Sequence, residues 1–425
     1  MTDARLHPLL RTAFRWGALL TLCAAPTQWT LIQNPRLGLA DLLLAATAGL
    51  WGLDVLLTRD GRRLWAARPH WTHLAFVLCA GAAVFAASDR AEAVKELVQF
   101  TEYFIVGAVV FAAALDGERG RPSPAAFFLR PLGAVTAVVL AFAAAQYLSP
   151  EGHASIRPFI EKKPLDIIVN VLGGWGSPLL VGGTFGNRNV LGGFLALALP
   201  LCCAGALGGA RGWPAKAGCA ALLLAGLALD LSGASYWAVV GVVAAMAAAR
   251  GPRVFIPVAA ALVLWQACVL PNLPRENDMA HYESVALYDG NGRATRRYPD
   301  WQAAASMILT HPWLGVGPGN YQKQVGQYYG QVPNATGPAE PDIQNLYLVL
   351  GASCGLPALL AFLALLATAL GSGLRAGRLG AAGAVAAFAA AAVWHPLLVR
   401  GLGIPFVFVL ALARHPPQEK ATDAP

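Results

Sequence analysis

The feature that most constrains this chain is the recurrence of uninterrupted apolar runs close to 20 residues long. A helix needs about 20 residues to cross a hydrocarbon core about 30 Å thick. Twelve stretches of the sequence approach that length, near 12–31, 39–57, 71–88, 97–115, 131–149, 189–209, 216–232, 234–249, 254–271, 346–371, 379–394 and 397–413. Only residues 231–235 separate the seventh from the eighth, and losing that break would invert the sidedness of everything after it. Charged residues make up 13% of the chain and hydrophobic ones 56%, with a mean hydropathy of +0.53. Soluble chains carry about 25% charged residues. These values exclude a water-soluble globule, a disordered chain and a coiled coil. The expected architecture is all-α: one polytopic transmembrane helical bundle of about twelve spans occupying residues 1–425.

Charge placement orients the bundle, because cytoplasmic loops near span ends are enriched in Lys and Arg. With the N-terminus inside, eighteen basic residues fall on inside segments, while the short outside loops carry only Arg36, Arg90, Lys95 and Arg400. The other nine lie in two long outside loops, where the rule is weak. Both termini are therefore expected in the cytoplasm. The first run competes with a signal peptide, but Ala-Ala-Pro after Cys23 is a poor cleavage site and a whole polytopic chain follows, so it reads as the first span. The net charge of +8 reads as topology and not as nucleic-acid binding. Most of the seven cysteines lie in apolar runs, without zinc or disulfide spacing, and read as small buried hydrophobes.

The two long outside loops, about 150–188 and 272–343, exceed the length of mere connectors, and function is expected there. The larger one mixes Tyr282, Tyr288, Tyr298, Trp301, Trp313, Tyr321, Tyr328 and Tyr329 with Arg275, Arg293, Arg296 and Arg297. That mixture suits sugar faces and anionic groups, and suits an interfacial aromatic belt with ordinary surface arginines equally. Within it, residues 299–310 ahead of His311-Pro312 predict a short helix stopped by proline, with Trp301, Ala304, Ala305 and Ile308 on one face. Upstream, Glu96, Gln99 and Glu102 recur every three residues at the start of the fourth span, and intramembrane carboxylates are functional candidates.

Three segments expected on the same outer face together resemble the O-antigen ligase and O-antigen polymerase family of bacterial membrane proteins. The first is Gly182-Gly-Thr-Phe-Gly-Asn-Arg-Asn-Val-Leu-Gly192 at the entry to the sixth span. The second is Arg297-Tyr-Pro-Asp-Trp301 continuing to His311-Pro-Trp-Leu-Gly-Val-Gly-Pro-Gly-Asn-Tyr321. The third is Gln344-Asn345, followed by nine residues and Gly355. Weaker similarity runs through Ser88-Asp-Arg-Ala-Glu-Ala-Val-Lys95, so the resemblance covers residues 39–360. Each motif alone is loose, and the specificity lies in their order.

The resemblance implies a C-superfamily-type membrane glycosyltransferase of the bacterial inner membrane, acting in lipopolysaccharide or exopolysaccharide biosynthesis. Such an enzyme passes a saccharide from undecaprenyl diphosphate to a hydroxyl of lipid A core, a growing glycan or a protein on the periplasmic side. It requires neither a nucleotide sugar nor a metal, and no cofactor is expected. Its partners are the lipid-linked saccharide, the acceptor and membrane lipids, with no nucleic acid. The family's arginine for the donor diphosphate matches Arg297, with Trp301 four residues on. Arg188, between the amides of Asn187 and Asn189, is a candidate pyrophosphate clamp or a cap residue reaching lipid headgroups. Asn345 is a further candidate binding residue. The glycines at 182, 183, 186, 315, 317 and 319 suit backbone approach to phosphate or close helix packing.

The departures are equally informative. Where ligases usually have a histidine to activate the acceptor, this chain has Gln344, which takes no proton at physiological pH. The Ser-Arg often found after the seventh span is here Ser232-Gly233. Catalysis would then fall to Gln344 as an orienting group, with Asp342, Glu340, His281 or Glu283 as base. The alternatives are a non-catalytic binder of polyprenyl-linked glycan and a small-solute transporter. The sequence has no GxxxxGK[ST], HExxH, CxxC or GxSxG signature.

Overall fold

The computed structural model describes residues 3–28, 30–33, 36–59, 61–116, 124–148, 183–185, 187–207, 212–230, 232–269, 297–331, 344–399 and 401–415. A helix lies on each of the twelve apolar runs. These are α1 (Asp3–Ala24), α2 (Leu39–Thr58), α4 (Trp71–Ala83), α5 (Arg90–Thr101) with its continuation α6 (Ala108–Leu115), α7 (Pro124–Leu148) and α8 (Arg188–Leu207). They continue with α9 (Trp213–Leu229), α10 (Gly233–Ala248), α11 (Pro252–Leu264), α14 (Leu346–Arg375), α15 (Leu379–Ala391) and α16 (Gly403–Arg414). Three further α-helices lie off these runs: α3 (Gly61–Ala66), α12 (Arg297–Thr310) and α13 (Tyr321–Gln324). By length and composition, five helical segments suffice to cross a membrane: 39–58, 90–115, 126–145, 252–269 and 346–375. Six apolar segments of 10–17 residues accompany them among the described residues. The chain is thus a multi-pass, helical membrane protein.

Burial sorts the helices into a centre and a rim. Residues 191–201 of α8, 380–385 of α15 and 403–410 of α16 are buried on every side, as expected of helices enclosed by other helices. The rim helices instead expose apolar side chains, among them Leu56 (76%), Leu78 (71%) and Val263 (65%). An exposed apolar stripe of this kind is stable against lipid and not against water. Aromatic rings knit the centre: Phe76 of α4 packs on Phe104 at 4.9 Å and on Phe362 of α14 at 5.5 Å, and Phe388 stacks on Phe406 at 4.2 Å. At one end of the bundle Arg414 closes α16 onto its neighbours. Through Nη2 it donates to the Leu365 carbonyl (2.8 Å), Thr368 Oγ1 (2.8 Å) and Thr72 Oγ1 (3.1 Å), which offsets part of the cost of burying the guanidinium, although its Nε meets no hydrogen-bond partner among the described residues.

Several details depart from expectation. The first helix stops at Ala24 and not near 31, because Pro26 follows and Gln28 adopts a left-handed conformation. The chain then forms a small antiparallel hairpin, β1 (Thr30–Gln33) and β2 (Arg36–Gly38), the strand pair of an otherwise helical described fold. The critical break between the seventh and eighth runs is present, α9 ending at Leu229 and α10 beginning at Gly233. The twelfth helix starts at Gly403 and not at 397, and residues 392–399 and 401–402 lie outside helix. In the large loop the proline-stopped helix forms as α12. Its packed face is Ala303, Ala304 and Met307 with Trp301 and Ile308, while Ala305 is exposed.

Candidate functional site

The segments that carry the motifs converge at the end of the bundle opposite Arg414. There the N-terminus of α8, the N-terminus of α14 and the 392–399 turn meet α5. Each is fixed by local chemistry. Asn187 caps α8, its Oδ1 accepting from Asn189 N at 2.8 Å and from Val190 N at 3.4 Å. Asn345 caps α14 in the same way, accepting from Leu348 N at 3.0 Å. The start of α14 is tied to the end of α15 by Leu346 N donating to the Ala392 carbonyl (2.9 Å) and Tyr347 Oη to the Ala389 carbonyl (2.7 Å).

The large loop is docked onto this end by the 311–320 segment. Gly355 interrupts α14 with φ 81° and ψ 170°, a conformation open only to glycine. The interruption leaves α14 backbone groups without intrahelical partners, and the loop supplies them. Leu356 N donates to the Pro312 carbonyl (2.8 Å), and Val316 N donates to the Ala352 carbonyl (3.0 Å). On the other side, Gly317 rests on Ala87, where a Cβ would lie 2.4 Å from the Ala87 Cβ. Asn320 then stitches the loop to the start of α5. Its Oδ1 accepts from Asp89 N (2.8 Å) and Ser88 Oγ (3.1 Å), and its Nδ2 donates to the Asp89 carbonyl (3.0 Å). Lys323 pairs with the Asp89 carboxylate, which caps α5 through Glu92 N. That lysine, together with the Glu92 amide, holds the Asp89 carboxyl below its ordinary value, while Asp89 raises the Lys323 ammonium. Above α12, Tyr329 donates to the Asp300 carboxylate, and burial with that carboxylate pushes the phenol up.

Beneath the docked loop lies a cavity of about 450 Å³. Glu92, Glu96 and Phe100 of α5 form one wall, and Asn187, Asn189 and Val190 another. Gln344 with Leu346, Val349 and Leu350 of α14 forms the third, His395 and residues 396–399 the fourth, and Gly319 with Tyr321 the roof. Polar groups thus meet an apolar floor, the combination that suits a ligand with a saccharide and a lipid part. A hydrogen-bonded chain crosses the walls. Asn189 Nδ2 donates to Gln344 Oε1 (3.4 Å), which also faces His395 Nδ1 (3.2 Å), and His395 Nε2 lies 2.9 Å from Ser232 Oγ. Both His395 and Ser232 are buried.

The sequence-selected residues divide accordingly. Asn187, Asn189 and Gln344 line the cavity. Asn345 is occupied as a helix cap, and Arg188 opens α8 between the two asparagines without lining the cavity. Trp301 packs its ring on Trp394 at 5.3 Å, one residue before His395, so it anchors α12 over the turn. Arg297 begins α12 one turn earlier. Asp342, Glu340, His281 and Glu283 lie outside the described residues. Of the motif glycines, 315, 317 and 319 are used for docking against Ser353, Ala87 and Glu92. Sequence reasoning missed His395 altogether, although a His-Pro break between two apolar runs on the motif-bearing face was a usable signal. Glu96, a functional candidate by its place in the fourth span, lines a cavity wall.

No curated protein matches the chain. Residues 218–363 match the family model described as O-Antigen ligase. The matched stretch, less than half of the chain, contains Ser232, α12, the docked segment and Gln344, and over it the chain is similar to O-antigen ligases.

Proposed function

We propose that the cavity is the transfer site of an inner-membrane glycosyltransferase of the C superfamily. It would move a saccharide from undecaprenyl diphosphate to a hydroxyl of lipid A core, a glycan or a protein on the periplasmic face. The observation that carries this reading is the convergence of Asn187, Asn189 and Gln344, from segments far apart in sequence, on one part-polar, part-apolar cavity roofed by the docked loop. The leaving diphosphate is already stable as an anion, so the protein has chiefly to hold it, orient the attacking hydroxyl and exclude water. In this reading Arg297 and Arg188 hold the diphosphate, Trp301 sets the loop, and Gln344 with Asn189 orients the saccharide. Asp342 and Glu340 enter the chain immediately before Gln344 and are candidates for the base, as are Glu92 and Glu96 on the opposite wall. Twelve crossings with both termini cytoplasmic, residues 39–360 forming the transfer unit and loops 150–188 and 272–343 periplasmic, complete the reading.

A non-catalytic binder of the same lipid is the second reading, and the amide at Gln344 favours it. Purified protein incubated with an undecaprenyl-diphosphate-linked saccharide and candidate acceptors separates the two. Product formation that falls in Arg297→Lys, which keeps the charge but loses the planar fork, supports transfer. Donor binding without product under every acceptor supports the binder. Cysteines introduced at 160 and 330 in a cysteine-free background are expected to label from the periplasm, and one at 65 is not. Labelling of 330 only after the inner membrane is permeabilised overturns the sidedness.

A further inference from the structure

His395 is a buried imidazole on the wall of the cavity, outside the family match and outside the three motifs. Both ring nitrogens face polar groups, and those groups assign its proton. Gln344 Oε1 is a carbonyl oxygen and only accepts, so Nδ1, 3.2 Å away, must carry the hydrogen. In the neutral imidazole Nε2 is then a lone pair and accepts from the Ser232 hydroxyl at 2.9 Å, a hydroxyl that also faces Ser235 Oγ at 3.4 Å. Ser232 is itself fixed, its backbone N–H donating to Asp230 Oδ1 at 3.0 Å in the turn between α9 and α10. Gln344 Oε1 also receives the Asn189 amide, so both of its lone pairs are engaged. Whatever else Gln344 meets, it meets through its Nε2 hydrogens.

We propose that His395 is the positioning residue of the cavity: held in its Nδ1–H tautomer by Ser232, it locks the Gln344 carboxamide so that the amide end is presented to the ligand as a hydrogen-bond donor. The inference rests on the reading of the cavity as the transfer site and makes it more specific. Gln344 recognises an oxygen lone pair, of a saccharide hydroxyl or of the departing diphosphate, and does not accept the acceptor's proton. Among the described residues, the carboxylates that line the cavity with His395 are Glu92 and Glu96 on the α5 wall.

The test uses the full-length protein in detergent or nanodiscs, with transfer kinetics from an undecaprenyl-diphosphate-linked saccharide and 15N-histidine NMR. Asparagine places an N–H donor near the position of Nδ1 and has no tautomers. His395→Ala is expected to lower kcat about 10–100-fold, and His395→Asn to recover most of that loss. Ser232→Ala should lower kcat in the native background and add nothing on top of His395→Asn, a non-additivity that a merely structural serine would not show. In the NMR spectrum the signal removed by His395→Asn should have its proton on Nδ1 and shift it to Nε2 in Ser232→Ala. His395→Asn as inactive as His395→Ala, at normal abundance and donor binding, overturns positioning in favour of a proton-accepting imidazole. A proton on Nε2 in the native protein overturns it as well. A native protein with the proton on Nδ1 but neither transfer nor donor binding rejects the transfer reading and leaves the hydrogen-bond order standing.

Discussion

Replacing Gly355 by alanine should detach the docked loop while leaving the bundle folded. A Cβ at this position would lie 2.3 Å from the Trp313 carbonyl oxygen and 2.9 Å from Leu314 N, so the clash is with backbone and no rotamer relieves it. The backbone conformation, φ 81° and ψ 170°, adds about 1–3 kcal/mol for a residue with a side chain. If the loop moves away, the bonds from Leu356 N to Pro312 and from Val316 N to Ala352 go with it, at about 1 kcal/mol each. Together these terms reach about 3–5 kcal/mol, or roughly 10²–10⁴-fold in the docking equilibrium. Hydrogen exchange in nanodiscs reads this directly, because the Val316 amide is protected only by its bond across to α14. Its protection should fall by that factor while the amides of α8 and α15 keep theirs. Glycosyl transfer should fall with it, since the cavity loses its roof. Native-like protection at Val316 in Gly355→Ala would refute the reasoning. Gly241→Ala is the control: nothing lies within 4 Å of its Cβ position, and protection should be unchanged.

Asn320→Ala removes the bonds to Ser88 and to both backbone groups of Asp89; it should expose residues 311–331 to limited proteolysis, and intact resistance would show that the glycine contacts suffice for docking. Asn345→Ala should cost about 1 kcal/mol through the lost α14 cap, visible as a lower Tm, with Asn345→Asp restoring it. Asp89 has a lowered native pKa, so its contribution to docking is present above its unfolded value and fades as pH falls through the native one; Lys323, raised, contributes below its unfolded value and fades as pH rises through its native one. Loop protection should therefore be greatest between about pH 4 and about pH 10, with the acid limb flattened in Asp89→Asn. An unchanged acid limb in that variant would remove the pair from the docking interface.

Much of this protein is written in apolar periodicity. The helix positions, the break between α9 and α10 and the proline-stopped α12 follow from runs of about 20 residues and from Pro and Gly punctuation, which act over short distances. Length alone did not reveal where helices give way to irregular backbone. The stop at Ala24 and the non-helical 392–399 turn look apolar in sequence, and only the folded chain shows that the helix gives way there.

The candidate site is only half legible. Asn187, Asn189 and Gln344 stand in motifs, and reading them as polar entrances to helices was sufficient to find them. What Gln344 does is decided elsewhere, by Asn189 155 residues before it in sequence and His395 51 residues after it. A side chain's donor or acceptor role is set by the partners that occupy its lone pairs, and those partners are brought together by the packing of α8, α14 and the 392–399 turn. The same holds for Gly355. Its presence was legible, but its reason is a carbonyl of Trp313 at 2.3 Å from the missing Cβ, a contact that exists only once the loop has folded back onto α14. The sequence by itself determined which segments become helices and which end of the bundle carries the motifs, because hydrophobic length and charge bias are local. Tertiary structure alone decided the hydrogen-bonding direction of each cavity group, because that depends on atoms supplied by distant segments.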